Sequence, residues 1–543
     1  PPPTPPPRSF PPPTKGTANM AFAKTLDRRN LIKAAGSLAV LAGFSRAPLF
    51  ARPLGANPFT LGVASGDPWP DGFVIWTRLA PRPFDEHAGM PAARVPVRWE
   101  VAEDAACTRI VQSGETLAMP ELGHSVHVEV AGLRSHRPYW YRFAVAGSDV
   151  SPIGTARTAP ASDAIVDRVR IGVAGCQHYE VGHYDAWAHL ANEPDLDLIF
   201  HYGDYIYEGG TTPLGPQASG TPVVRQHIGG EIYSIEDYRR RYAQYKSDPA
   251  LQAAHAACAF ACSFDDHEVD NNWAGDFDQD GTSPEIFALR RYAALQAWYE
   301  NMPVRKALFP AQGGLTAYRR LDYGRLLRTH VLDTRTNRSD QVCNDGKIRP
   351  CPPDLLQSPE VLGRAQEAWL DEGLGNEAIW NLIAQQIIVM PVDFRADDAA
   401  EARFATDLWD GYRPARKRLI ESIRRHELTN VVIATGDHHK HLVGSVPEDE
   451  GRPDGPKVAV EFQAASISSN GNGKGEAGLE QMMRNNPHFD LYTDRRGYQL
   501  FEITPKEWRT DVKVMDQVER PGGRISTLAR YSVAPGAPIL NRE

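Results

Sequence analysis

The chain has 543 residues, 42% hydrophobic and 23% charged, which excludes a wholly disordered or collagen-like protein. Its 59 Lys and Arg stand against 68 Asp and Glu, a net charge of −9 that argues against a nucleic-acid scaffold or a general binder of anionic membranes. Six cysteines are too few for a disulfide framework at this length, and about 150 residues per domain allows one large domain with one or two smaller ones.

Residues 1–19 hold nine prolines and almost nothing that packs, so they are predicted to be disordered. Residues 20–56 follow as a signal and spacer. Arg28-Arg29, Leu31 and Lys33 precede an apolar run from Ala34 to Phe44, with small residues near Ala47 and Ala51. This pattern resembles a twin-arginine export signal. It predicts a partner in the twin-arginine export machinery and a periplasmic or secreted protein. The run is short of the roughly 18 apolar residues of a membrane span. No later run reaches that length, so the mature protein is expected to have no membrane span. The twin-arginine route carries folded proteins, which hints at a cofactor loaded before export.

Residues 57–158 read as a small β-sandwich. Val95, Val97, Trp99 and Val101 alternate with polar residues, as do Val126, Val128 and Val130, then Tyr139, Tyr141 and Phe143. Leu133 and Tyr139 flank a turn and suggest a fibronectin-like strand corner. Gly62–Pro68 is expected to be a polar turn packed on the next domain.

After a Pro/Ala/Ser linker at 159–163, residues 164–515 alternate short apolar strands with helical patterns. Strands are predicted at Val169–Ala174, Leu196–Tyr202, Ala257–Phe264, Arg325–Leu332, Trp380–Met390 and Asn430–Thr435. Helices are predicted at His183–Asn192, Ile235–Ser247, Pro284–Asn301, Arg364–Leu374 and Tyr412–Arg425. Such alternation specifies a layered α/β domain. Residues 516–543 are left as a C-terminal tail. Cys343 and Cys351 flank a polar loop and could pair outside the cytoplasm; Cys107, Cys258 and Cys262 are expected to be free.

Ligands of open α/β sheets bind where strands release into loops. Four strands here run straight into metal-type side chains: Cys176-Gln-His178; Asp204-Tyr-Ile-Tyr207-Glu208; Asp265-Asp266-His267-Glu268-Val-Asp270-Asn271-Asn272; and Asp437-His438-His439-Lys440-His441. Carboxylates grouped in this way repel unless cations sit among them. Asp and Asn oxygens suit calcium, whereas thiolate, imidazole and especially phenolate suit ferric iron. Two metals about 3.5–4 Å apart are the usual device for hydrolysing phosphate esters.

Gly203-Asp204-x-x-Tyr207, then Asp-Asp-His-Glu, then Gly-Asp-x-His resembles the PhoD-type alkaline phosphatases, a branch of the calcineurin-like metallophosphoesterases. Leu332-Asp-Thr-Arg335 and Trp409-Asp-Gly-Tyr412 also look like that family, and the likeness covers about residues 57–510. It implies a metallophosphoesterase-type catalytic domain behind a fibronectin-like sandwich, acting on phosphate-ester substrates. It also implies Fe3+ held by Cys176, Asp204, Tyr207 and His439, with Asp204 bridging to Ca2+ near Asp266, Asn271 and Asp437. His267 would approach the phosphate. The implied chemistry is in-line attack by hydroxide on the metals, with monoesters and also diesters as substrates. Alternatives are a phosphodiesterase or phospholipase-D-like hydrolase on the same scaffold, or a calcium-stabilised extracellular binding protein. His178 and His183 read as satisfied polar residues, His438 as a rim residue, and His441 as a supporting or surface residue. Gln385 and Gln386 stand where many metallophosphoesterases carry a ligand histidine. Ser468–Gly471 is a polar turn that could face the site.

Overall fold

The computed structural model describes residues 54, 56–146, 150–309, 315–398, 400–475 and 478–543. The Pro-rich segment and the twin-arginine pattern lie outside the described residues. Among the described residues no helix is long and apolar enough to cross a membrane.

The N-terminal alternation forms seven strands: β1 (Val63–Trp69), β2 (Gly72–Arg78), β3 (Val95–Ala102), β4 (Ile110–Ala118), β5 (Ser125–Val130), β6 (Pro138–Ala144) and β7 (Gly154–Arg157). One leaf of the sandwich is the four-stranded sheet β4-β3-β6-β7. Val97, Val101, Tyr141 and Phe143 from this leaf meet Phe73, Ile75, Val126 and Val128 from the other in one apolar core. The strand corner is present: the Tyr139 hydroxyl accepts the Arg134 backbone N–H at 3.0 Å.

The second leaf does not end with the sandwich. Strands β1, β2 and β5 are the edge of a ten-stranded sheet that runs on through the α/β region. Gly62–Pro68 is no turn; most of it is β1, paired in parallel with β10 (Ala259–Cys262) at Ser65↔Ala259 and Gly66↔Phe260. Its polarity misled because the segment is buried by backbone pairing rather than by apolar side chains. At Gly66 a Cβ would lie 2.6 Å from the Phe260 carbonyl oxygen, so only glycine lets the two segments close.

The α/β region adds β8 (Val169–Ala174) and β9 (Leu198–His201) to that sheet beside β10, all parallel. Their near-continuous apolar runs are buried throughout, as parallel strands covered on both faces require. A second sheet has seven strands: β11 (Arg319–Tyr323), β12 (Leu327–Val331), β13 (Trp380–Ala384), β14 (Val431–Thr435), β15 (His441–Pro447), β16 (Lys457–Gln463) and β17 (Phe489–Thr493). Its order is β11-β12-β13-β14-β16-β15-β17. The two sheets pack face to face through Ile171, Val173, Phe200, Leu382, Val432 and Phe462.

Helices cover both outer faces. Asp185–Ala191, Ile235–Lys246, Pro249–Ala257 and Pro284–Asn301 contribute to the core outside the first sheet, and Arg364–Gly373 and Arg413–Arg425 to that outside the second. Their starts follow local chemistry. Ser234 and Asp237 form a capping box, and Asp248 caps the next helix ahead of Pro249.

Beyond β18 (Gly497–Ile503) and β19 (Trp508–Met515), residues 516–543 are not a tail. Within them β20 (Ile525–Val533) pairs antiparallel with the whole of β19, and β21 (Asn541–Arg542) closes the sheet edge. Ala529, Tyr531 and Val533 are buried while their neighbours face out, the period-two signal of a half-buried strand. Cys343 and Cys351 form a disulfide, and Cys107, Cys258 and Cys262 are free.

Candidate metal centre

The parallel strands deliver the site. The loop after β8 carries Cys176, that after β9 Asp204 and Tyr207, that after β10 Asp265, Asp266 and His267, and that after β14 Asp437 and His439. The loops cross-link as they leave the sheet: the Cys176 N–H donates to the Gly203 carbonyl and the Gln177 N–H to that of Asp204, both at 3.1 Å. Gly203 has φ 133°, and a Cβ there would lie 2.6 Å from the Asp265 nitrogen. Cys176, Asp204, Asp437 and His439 all take left-handed backbone conformations, φ 48° to 64°. Such conformations cost non-glycine residues of order 1–3 kcal/mol each and cluster at functional sites.

Three side-chain groups follow, in each of which one ligand atom per residue lies within 4.8 Å of the others. They are Cys176–Asp204–His439, Asp204–Asp266–His267 and Asp265–Asp266–Asp437. Asp204 is shared by the first and second, and Asp266 by the second and third. The Tyr207 hydroxyl joins the first group, 2.7 Å from Asp204 Oδ2 and 3.1 Å from His439 Nε2. The soft and aromatic donors therefore gather at one end and the carboxylates at the other.

Burial dominates the electrostatics at both ends. Burial, then the carboxylates of Asp204, Asp437 and Asp265, push the Cys176 thiol well above its ordinary pKa. Burial raises Asp204 and Asp437 well above the usual carboxylate range. Burial, then Asp204 and Cys176, does the same to the Tyr207 phenol. Asp204 Oδ1, Asp265 Oδ2 and Asp266 Oδ1 are buried and find no hydrogen-bond partner among the described residues. Buried anionic oxygens without donors are costly, and this donor set fits cations.

Asn271 follows on the loop that carries Asp266 and His267. Its backbone N–H donates to Glu208 and its side-chain amide to Gln279. Glu208 also holds His267 Nδ1 at 2.7 Å. His438 bonds the Tyr492 hydroxyl at 2.9 Å. His441 is fully buried and its Nδ1 accepts the Ala465 N–H, so it supports the fold and is not a surface residue. The His178 ring packs on Tyr207, with centroids 4.4 Å apart. A further group of His178, Glu180 and His227 has a cation in place, because Arg241 lies 3.2 Å from His227 Nδ1. Gln386 bonds Thr334 and Ser263, and Gln385 accepts from Trp409; both knit loops together where a ligand histidine was sought.

Sequence reasoning assigned no role to several partners. Ser469 Oγ lies 2.7 Å from the Tyr207 hydroxyl. Arg335 is wholly buried, bonds Asp265 at 2.5 Å and grips both oxygens of Asp407 at 2.8 Å. Arg335 lay in a string already noticed, and Ser469 in a turn already suspected. Asp407 carries no local signal, since it reaches the site through Arg335, Arg338 and Gln341.

Two face-to-face sheets between helical layers, with metal-type side chains gathered at the carboxyl ends of parallel strands, form a fold of the metallophosphoesterase type. The comparisons narrow this. Residues 171–512 match the PhoD-like phosphatase family and residues 44–160 its N-terminal domain. Alkaline phosphatase D of Bacillus subtilis (strain 168) is 43% identical over 520 residues, 93% of this chain and 87% of that protein. A solved structure described as that of PhoD superposes with a TM-score of 0.85 at 42% identity, covering 90% of this chain and 92% of the other. The chain belongs to the PhoD-like phosphatase family, and it is an alkaline phosphatase.

Proposed function

We propose that this alkaline phosphatase hydrolyses phosphomonoesters, and phosphodiesters as well, at a mixed Fe3+/Ca2+ centre outside the cytoplasm. The observation that carries the reading is the run of shared groups from Cys176, Tyr207 and His439 through Asp204 to Asp266 and Asp437. Cys176, Tyr207, Asp204 and His439 would hold ferric iron, and Asp204, Asp266 and Asp437 calcium, with Asn271 reaching in from its loop. Bound there, the cations would supply Lewis acidity for the phosphoryl oxygens and a water nucleophile at working pH.

The chain's own groups do the rest. Glu208 takes the Nδ1 side of His267, which leaves Nε2 for the substrate. Burial opposes the charge on His267, but Glu208, Asp266 and Asp204 raise its pKa well above the ordinary value. His267 can therefore hold a proton for the departing ester oxygen. The Tyr207 ring lies against that imidazole, with centroids 4.1 Å apart, and fixes its tilt.

The test is hydrolysis of p-nitrophenyl phosphate and of its bis-ester, before and after chelation. Chelation is expected to abolish both activities and to lower the melting temperature. A ligand at about 100 times its Kd stabilises the native state by roughly 2.7 kcal/mol. Full activity in protein shown by metal assay to be stripped would overturn the reading.

Export is tested separately. The double substitution Arg28→Lys with Arg29→Lys is expected to leave the protein in the cytoplasm, because the twin arginines are the readable part of the signal. Normal export of that variant on cell fractionation would exclude the twin-arginine route.

A further inference from the structure

Glu268 is completely buried in the most anionic part of the molecule, yet it belongs to none of the three ligand groups. Its two oxygens are spent on backbone donors. Oε2 accepts the N–H of Asp204 at 3.1 Å and of Asp265 at 2.8 Å, and Oε1 accepts the N–H of Tyr205 at 2.5 Å. The donors belong to two different loops, one leaving β9 and one leaving β10. The first loop carries Asp204 and Tyr207, and the second carries Asp265, Asp266 and His267.

We infer that Glu268 is a positioning residue that clamps the β9 and β10 loops together and so sets the spacing of both metal positions at once. Resting on the metal-centre reading above, the inference has three physical supports. A carboxylate is an acceptor only and can serve several N–H donors at one time. Burying one more carboxyl group beside Asp204 and Asp265 is unfavourable, so its presence needs a return, and the three N–H bonds supply it. Asp204 has φ 55°, a conformation that must be held from outside, and the clamp grips the Asp204 N–H and the one after it. Groups that orient ligands in this way typically change metal affinity by about 10–100-fold when lost.

Glu268→Gln keeps the shape but sets an NH2 group against backbone N–H donors. Calcium chloride and ferric citrate are titrated separately into metal-stripped wild type and variant. Affinity for both metals is expected to fall together by about 10–100-fold. Saturating metal should restore most of kcat, with KM for p-nitrophenyl phosphate little changed. Glu268→Asp, which keeps the carboxyl group, should recover part of the affinity. A folded Glu268→Gln protein with wild-type affinity, or with only one metal weakened, overturns the inference. If that variant does not fold, amide hydrogen exchange on metal-stripped wild type decides. Protection at residues 204, 205 and 265 without metal is expected, and free exchange there overturns the clamp. Wild type that binds neither metal would sink the metal-centre reading, while the exchange result would still judge the clamp.

Discussion

Asp204→Asn should cost the enzyme nearly all of its activity and both kinds of metal together. Asp204 is the one residue shared by the Cys176–His439 group and the Asp266–His267 group. It also receives the Tyr207 hydroxyl at 2.7 Å. The amide of asparagine keeps the size but removes the charge and one acceptor oxygen, so it cannot bridge two cations. The fall in kcat/KM on p-nitrophenyl phosphate should exceed the roughly 10–100-fold typical of losing an outer partner of a metal ligand. Elemental analysis should find both metals depleted. A variant that retains one metal at full occupancy with wild-type turnover would show that Asp204 does not bridge.

Tyr207→Phe should act more selectively. Burial, Asp204 and Cys176 all oppose ionisation of this phenol, whose free pKa is about 10. It becomes a ligand at working pH only beside a strongly charged cation. Ferric iron meets that need, and a phenolate bound to it absorbs visible light, so the purified enzyme should be violet to purple. The phenylalanine variant should lose the band, retain iron poorly and turn over more slowly. Ser469 and His439 would then face an apolar ring edge where they now face a hydroxyl. A colourless wild type with full metal content, or a variant that keeps the band, would refute the iron–tyrosinate assignment and leave the phosphatase activity standing.

The layered fold was legible because its information is local. Val169–Ala174 and Pro284–Asn301 lie where apolar runs and helical spacing place them. The strand-end clusters were legible for the same reason, since each cluster is contiguous in sequence. What escaped was decided between segments. Nothing within Gly62–Pro68 announces a strand, because its pairing partner is β10. Asp407 joins the centre by way of Arg335, Arg338 and Gln341, side chains of another loop. Glu268 was visible within its motif, but its role depends on the N–H groups of residues 204 and 205, which the fold brings to it. The C-terminal strands were missed because the alternation in Ile525–Val533 is weak, although Pro521-Gly522-Gly523 and Pro535-Gly536 mark turns on both sides of it.

The position of β8 governs when this enzyme can exist at all. β8 leads into Cys176 and lies between β9 and β18, so one of its neighbours is close in sequence and the other near residue 500. Tyr498 on β18 bonds Glu193, a partner 305 residues distant, and Ser469 reaches Tyr207 across 262. Contacts of that range form slowly, because loop closure must be overcome before any pairing compensates for it. While the ribosome is still short of residue 497, the nascent chain would present β8 as an apolar edge with unpaired N–H and C=O groups, the kind of template that chaperones must cover. The cysteine end of the centre and its histidine are likewise apart until synthesis has passed His439. Metal capture is thus tied to nearly complete translation.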